Sequence, residues 1–212
     1  ALKGDFGTSY SYKMPVSSML AGKLPVTGLL TGMSFVLILA FSIPLGIFTA
    51  RHAGGRLDRA MTAVNQALMA IPAFVTGILL TYVFGLVLRW FVPGNYVSPG
   101  DNFGGSLWYF LFPAVSIALP RVAMTVKMLR SSILSELQKD YVRTSHSRGN
   151  SDRATLYRHV LRNAMGPVVS FLAMTVADIV AGSVVIEQVF SLPGLGRMLL
   201  TSIANRDYPV VQ

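Results

Sequence analysis

The chain has no cysteine, which excludes disulfides and thiolate metal sites. Charge is scarce as well. Only 13% of the 212 residues are charged, against roughly 25% in an ordinary soluble domain. Histidine occurs three times, as His52, His146 and His159. None has a second ligand at i+3 or i+4, so no metal site is expected. There is no G-x-x-x-x-G-K-[ST] phosphate loop and no G-x-S-x-G nucleophile turn, so neither ATP hydrolysis nor serine chemistry is expected here. No internal repeat or low-complexity tract occurs.

What is present is apolar. No charge falls between Leu24 and Ala50, between Ala60 and Leu88, or between Asn102 and Pro120, and a fourth run from Pro167 to Ile186 is broken only by Asp178. A helix needs about 20 apolar residues to cross a bilayer. Buried helices of a soluble enzyme rarely stay uncharged this long. The expected fold is therefore an all-α polytopic membrane bundle forming a single transmembrane domain, with spans near 25–50, 64–90, 107–133 and 167–189. Pro44, Pro72 and Pro120 lie within these runs and are expected to bend them.

The net charge of +9 first suggests nucleic acid, but its distribution argues for a membrane. Arg51, Arg56 and Arg59 follow the first run. Lys127, Arg130, Lys139, Arg143, Arg148, Arg153, Arg158 and Arg162 surround the polar stretch before the fourth. Those eleven outnumber the five on the other side, Lys3, Lys13, Lys23, Arg197 and Arg206. Short Lys/Arg-rich loops stay cytoplasmic. Both ends of the chain and the loop 92–106 are therefore expected on the periplasmic side, with Trp90 and Trp108 at the interface. The polar start without Met predicts an internal piece of a longer chain, with one more span before Ala1 and one after Gln212.

The polar stretch reads as a basic elbow, about 134–166. The third span is expected to continue as a helix through Arg148. Gly149 fits a left-handed cap. Ser151 can cap a second helix, with Asp152 at its positive end. That helix is expected to stop at Gly166, and Pro167 to start the fourth span. The residues alone leave open a solvated loop, an anchor on anionic headgroups, a nucleic-acid-binding pair, or a docking surface.

The stretch "DYVRTSHSRGNSDRATLYRHVLRNAMGPVV" resembles the cytoplasmic loop of binding-protein-dependent ABC importer permeases, dipeptide/oligopeptide/nickel subgroup. That pattern reads D-Y-V-R-T-A-x-A-K-G, then R-H-x-L-R-N-A, then P-V. Ser145 and Ser147 replace Ala, Arg148 replaces Lys, and Asn150 stands where Leu is common. Of the wider E-A-A-x-x-x-G pattern only Gly149 is kept, Arg143 holding the Glu position. "GDFGTSY" and "VVIEQVFSLPGLGRMLL" followed by "RDYPVVQ" extend the likeness over most of the chain.

The resemblance implies an inner-membrane permease subunit without cofactor, forming half of a pore for peptides, nickel or a related solute. It implies a second homologous permease, two cytoplasmic ATP-binding subunits and a periplasmic or lipid-anchored substrate-binding protein as partners, and no nucleic acid. The elbow would be the ATPase-coupling element, carried by Tyr141, Thr144, Ser145, Gly149, Ser151, Asp152 and Arg153. The alternative is a membrane anchor for a cytoplasmic complex, without transport.

Two charges lie within spans. Asp178 sits about half-way across, where a charge costs about 2.5–3.5 kcal/mol on insertion scales. Arg121 follows Pro120. Their expected depths differ by four residues, about 6 Å, so an ion pair between them is one expectation, and separate exposure to a watery path is the other. Glu187, near the outer end of the fourth span, is expected to need no partner.

Overall fold

The computed structural model describes residues 6–212. Among them the order is α1 (Val16–Arg51), α2 (Arg56–Ala70), α3 (Ala73–Leu80) with a π-helical continuation Thr81–Val87, α4 (Phe103–Leu137), α5 (Asp140–Ser147), α6 (Asp152–Thr155), a π-helical turn Leu156–Val160, α7 (Leu161–Val189), α8 (Leu195–Ala204) and α9 (Tyr208–Val211). The one β feature among the described residues is the isolated bridge between Thr8 and Pro15.

Among the described residues three helices are long and apolar enough to cross a membrane: Val16–Arg51, Phe103–Leu137 and the continuous stretch Asp152–Val189. The run expected as one span at 64–90 is not one straight helix. α2 and Ala73–Val87 meet at 93°. Pro72 causes the break: it disfavours the helical region for the residue before it, and Ile71 takes an extended φ/ψ of −88°/119°. Pro44 and Pro120 interrupt no helix, since α1 and α4 run through them.

Two further expectations fail locally. The third span does not continue through Arg148, because α4 ends at Leu137 and α5 starts at Asp140. Nor does Gly166 stop a helix. α7 carries Pro167 inside it, the missing N–H costing one bond to the carbonyl of the exposed Asn163.

Two compact units share these helices. Of the described residues, the first holds 6–35, 72–117 and 178–212; the second holds 36–71 and 118–177. In the first, Leu30, Phe110, Ile117, Ile186, Phe190 and Leu192 are fully buried. Phe91 stacks on Phe112 with centroids 4.3 Å apart, and Trp108 Nε1 donates to the Trp90 carbonyl at 3.0 Å. In the second, Ile38, Val126, Leu129, Ile133, Val160 and Val168 make the core. Several helical hydroxyls are satisfied locally: Ser34, Thr49, Ser116, Thr125 and Thr175 donate to carbonyls one turn back in their own helices. Apolar surroundings demand this, since an unpaired polar group there is expensive.

Candidate functional site

The elbow lies in the second unit and is built by a helix ending that closes on itself. Gly149 N–H donates to the His146 carbonyl at 2.9 Å and Asn150 N–H to the Ser145 carbonyl at 3.3 Å. This pair of bonds needs a left-handed residue at Gly149, whose φ is +79°. Ser151 Oγ then accepts from Ala154 N–H at 3.3 Å and caps α6. Beneath the turn, Ser145 and Thr155 hydroxyls bond at 2.8 Å and Asn150 Nδ2 donates to Ser145 Oγ at 3.2 Å. α5 and α6 are thus stapled together.

The residues expected to couple divide by position. Ser145 is buried, and its hydroxyl is taken up by Thr155 and Asn150 inside the elbow. Tyr141 is half-buried; its hydroxyl donates to Glu136 at 2.7 Å. Lys139 donates to the same carboxylate, and the two hold Glu136 below the ordinary glutamate range, Lys139 the more strongly. Thr144, Gly149, Ser151, Asp152 and Arg153 are exposed. A Cβ built on Gly149 would meet no atom within 4 Å. Tyr141, Thr144, Ser145, Arg148, Asn150 and His159 line a 250 Å³ depression. Ser151 and Arg153 line another of 450 Å³ with Tyr157 and Arg158. Arg148, Arg153, Arg158 and Arg162 are all exposed, whereas Asp140 and Asp152 make only loose pairs: Arg143 with Asp140 at 3.9 Å and His146 with Asp152 at 3.6 Å. The surface is rigid, concave and basic.

A clamp missed in the sequence holds the same unit. Arg130 Nε and Nη2 donate to the two oxygens of Asp58 at 2.9 and 2.7 Å, and Gly54 N–H adds a bond at 2.9 Å. Asp58 is buried. The hydrogen bonds from Arg130 and then Gly54 hold its carboxyl below the usual value, against the effect of burial. The loop after α1 is thereby fixed to α4.

In the first unit Glu187 is fully buried, and it has partners, contrary to expectation. Oε1 accepts from the Thr27 hydroxyl at 2.6 Å and Oε2 from Arg197 N–H at 3.0 Å. Thr27 Oγ1 accepts from Leu195 N–H at 2.9 Å. Leu195 and Arg197 open α8, whose own cap residue, Gly194, supplies no side chain. Thr27, distant in sequence, and Glu187, ten residues before Arg197, therefore cap the helix, with a carboxylate at its positive end. Gly194 permits it, since a Cβ there would lie 2.3 Å from the carboxyl carbon. A glycine cap with no local acceptor was the available sequence signal. The lock fixes one wall of a 410 Å³ cleft lined by Tyr12, Lys23, Arg197 and three methionines, Met14, Met19 and Met198. Asp207 ties down the chain beside it, accepting from Ser9 Oγ, from Tyr10 N–H at 2.9 Å and from Ser11 N–H at 3.2 Å.

Arg121 is half-buried in α4, in the second unit, and Asp178 is exposed in α7, in the first. Among the described residues no group of three or more His, Cys, Asp or Glu could hold a metal ion.

Residues 42–212 match the family described as binding-protein-dependent transport system inner membrane component. The chain is 35% identical over 213 residues to the oligopeptide transport system permease protein AppB of Bacillus subtilis, covering 99% of this chain and 67% of that protein. It is 32% identical over 209 residues to the oligopeptide transport system permease protein OppB of Salmonella typhimurium, covering 98% and 66%. The chain thus spans about two thirds of the length of these relatives.

Proposed function

Because this chain belongs to the family of binding-protein-dependent transport system inner membrane components, we propose that it is the permease half of a peptide importer, coupled through its elbow to a separate ATPase. Peptides are favoured over nickel: the relatives are named for oligopeptide transport, and no metal-binding cluster occurs among the described residues. A second, homologous permease completes the pore. Two ATP-binding subunits drive it from the cytoplasm, and a substrate-binding protein feeds it from the other side of the membrane.

The observation that carries the coupling role is the stapled elbow. Ser145, Thr155 and Asn150 lock α5 against α6, and α6 runs without interruption through the π turn into α7. A force on the turn is therefore delivered to a spanning helix instead of being absorbed by a loop. The exposed, contact-free Gly149 and the basic depressions give a partner somewhere to seat.

These 212 residues hold no cysteine, so Ser147→Cys, exposed on α5, adds a single thiol to this segment. In the full-length assembly it should form a disulfide with a cysteine placed in the ATPase subunit's docking groove, with a yield that changes on ATP binding. No cross-link to any position of the ATPase subunit would overturn the coupling role.

A further inference from the structure

On the second unit an apolar groove of 340 Å³ runs along α1, lined by Ile43, Pro44, Ile47, Phe48, Arg51 and Tyr157. Residues 44, 47, 48 and 51 follow helical spacing on one face, and the groove extends about 12 Å along the axis. Along α1 its lining changes from aliphatic and aromatic to Arg51, where the helix terminates, and Tyr157 of the π turn lines it from the elbow.

The surroundings of that end are cationic. Tyr157 also lines the neighbouring depression with Ser151, Arg153 and Arg158. Arg51 also lines a second depression with His146, Asp152 and Arg153. His52 follows on α1's last turn, its ring 4.4 Å from that of Phe48. Asp152 is the one acid among these residues, and it faces His146 at 3.6 Å. No acid lines the groove itself.

We propose that this groove is a binding site for an anionic phospholipid of the cytoplasmic leaflet, with an acyl chain along Ile43–Phe48 and the phosphate at Arg51 and the Tyr157 hydroxyl. Three observations carry it. The groove is concave, is lined by Ile43, Pro44, Ile47 and Phe48 over most of its length along α1, and holds no acid. Its polar end is the Arg51 end, which the Lys/Arg distribution places on the cytoplasmic side. Basic recesses between helices on that side suit anionic headgroups, and a tyrosine hydroxyl at the boundary donates to phosphate while its ring stays in the apolar layer. Because Tyr157 belongs to the π turn of the elbow, the lipid would brace the elbow against α1.

The test uses the full-length transporter assembly in nanodiscs of phosphatidylcholine doped with phosphatidylglycerol. Phospholipid that stays bound through detergent exchange is measured by native mass spectrometry. Wild type should retain phosphatidylglycerol preferentially. Arg51→Gln should weaken that preference about fivefold, and Ile47→Trp, which fills the groove, should abolish retention. Arg59→Gln, an exposed cation outside the groove, should leave it unchanged. Equal retention of both lipids, or an equal loss in Arg59→Gln, overturns the proposal. A spin label at Ile47→Cys supplies an independent readout. Access to a lipid-soluble quencher is expected; shielding would mean that another protein segment or a second copy covers the groove, and would also overturn it.

Discussion

Glu187→Ala removes the acceptor that closes the N-terminus of α8. The carboxylate takes one hydrogen bond from the Thr27 hydroxyl at 2.6 Å and one from Arg197 N–H at 3.0 Å; the Ser183 contact at 3.5 Å is too long to count. Hydrogen bonds to a charged group contribute about 1.5–3 kcal/mol each. The Thr27 hydroxyl can turn to another acceptor, whereas the Arg197 N–H is left without one. Removing a buried carboxylate also relieves its own desolvation. The net loss is about 2–4 kcal/mol, or about 5–15 °C in the midpoint of thermal unfolding for a domain of this size. Glu187→Gln should lose less than half as much. Its carboxamide oxygen can face Arg197 N–H and its NH₂ can donate to Thr27 Oγ1, which has two lone pairs. Gly194→Ala should be as harmful as Glu187→Ala, because the new methyl lies 2.3 Å from the carboxyl carbon. In the Glu187→Ala background the same methyl has room. The assay is fluorescence-detected thermal unfolding in detergent, with limited proteolysis across residues 190–197. If the Gly194→Ala and Glu187→Ala losses simply add, the two positions do not meet and the lock is wrong.

Three further outcomes are expected. Asp58→Asn should cost about 2–3 kcal/mol, below the 3–5 kcal/mol of fully buried pairs because Arg130 is partly exposed, as read by urea or thermal unfolding in detergent. Since the folded Asp58 carboxyl titrates below its ordinary value of 3.8, its contribution is complete above that pH and is lost as pH falls through the folded value; the Asn variant should lack this acid-dependent loss. Ser145→Ala should loosen the elbow by about 1–3 kcal/mol, because the Asn150 amide and Thr155 hydroxyl lose their partner, and amide hydrogen exchange at 149–155 should rise while the helices of the first unit stay protected.

The apolar runs were legible because a bilayer demands about 20 mostly apolar residues, and α1, without charge from Leu24 to Ala50, meets that directly. The broken segment was not. "ALMAIPAFVTG" stays apolar on both sides of Pro72, and hydropathy carries no information about direction. The extended conformation of Ile71 turned the chain; a proline favours this but does not dictate it, since α1, α4 and α7 run through Pro44, Pro120 and Pro167. Gly166–Pro167 misled in the opposite sense, as a stop signal that α7 passes through. In the elbow, Gly149 and Ser151 were readable because caps are local. Ser145 was read as a contact because its partner, Thr155, is ten residues further on and no short pattern joins them. Asp58 and Glu187 were missed for the same reason. Arg130 lies 72 residues from Asp58 and Thr27 lies 160 from Glu187, while Arg197, ten residues after Glu187, is joined to it by no short pattern.

The central claim is that the elbow converts ATP hydrolysis on a partner into peptide transport. The direct measurement is peptide uptake and ATP hydrolysis, side by side, in proteoliposomes holding the full-length permease pair, the two ATPase subunits and the binding protein, with wild type and Gly149→Val compared. The valine costs the local backbone about 1 kcal/mol or more at φ +79° and pushes a branched side chain out where no intramolecular atom lies. The account predicts a fully assembled membrane domain, with uptake abolished and ATP hydrolysis no longer stimulated by loaded binding protein. Uptake at the wild-type rate, from equal amounts of inserted protein, would contradict it.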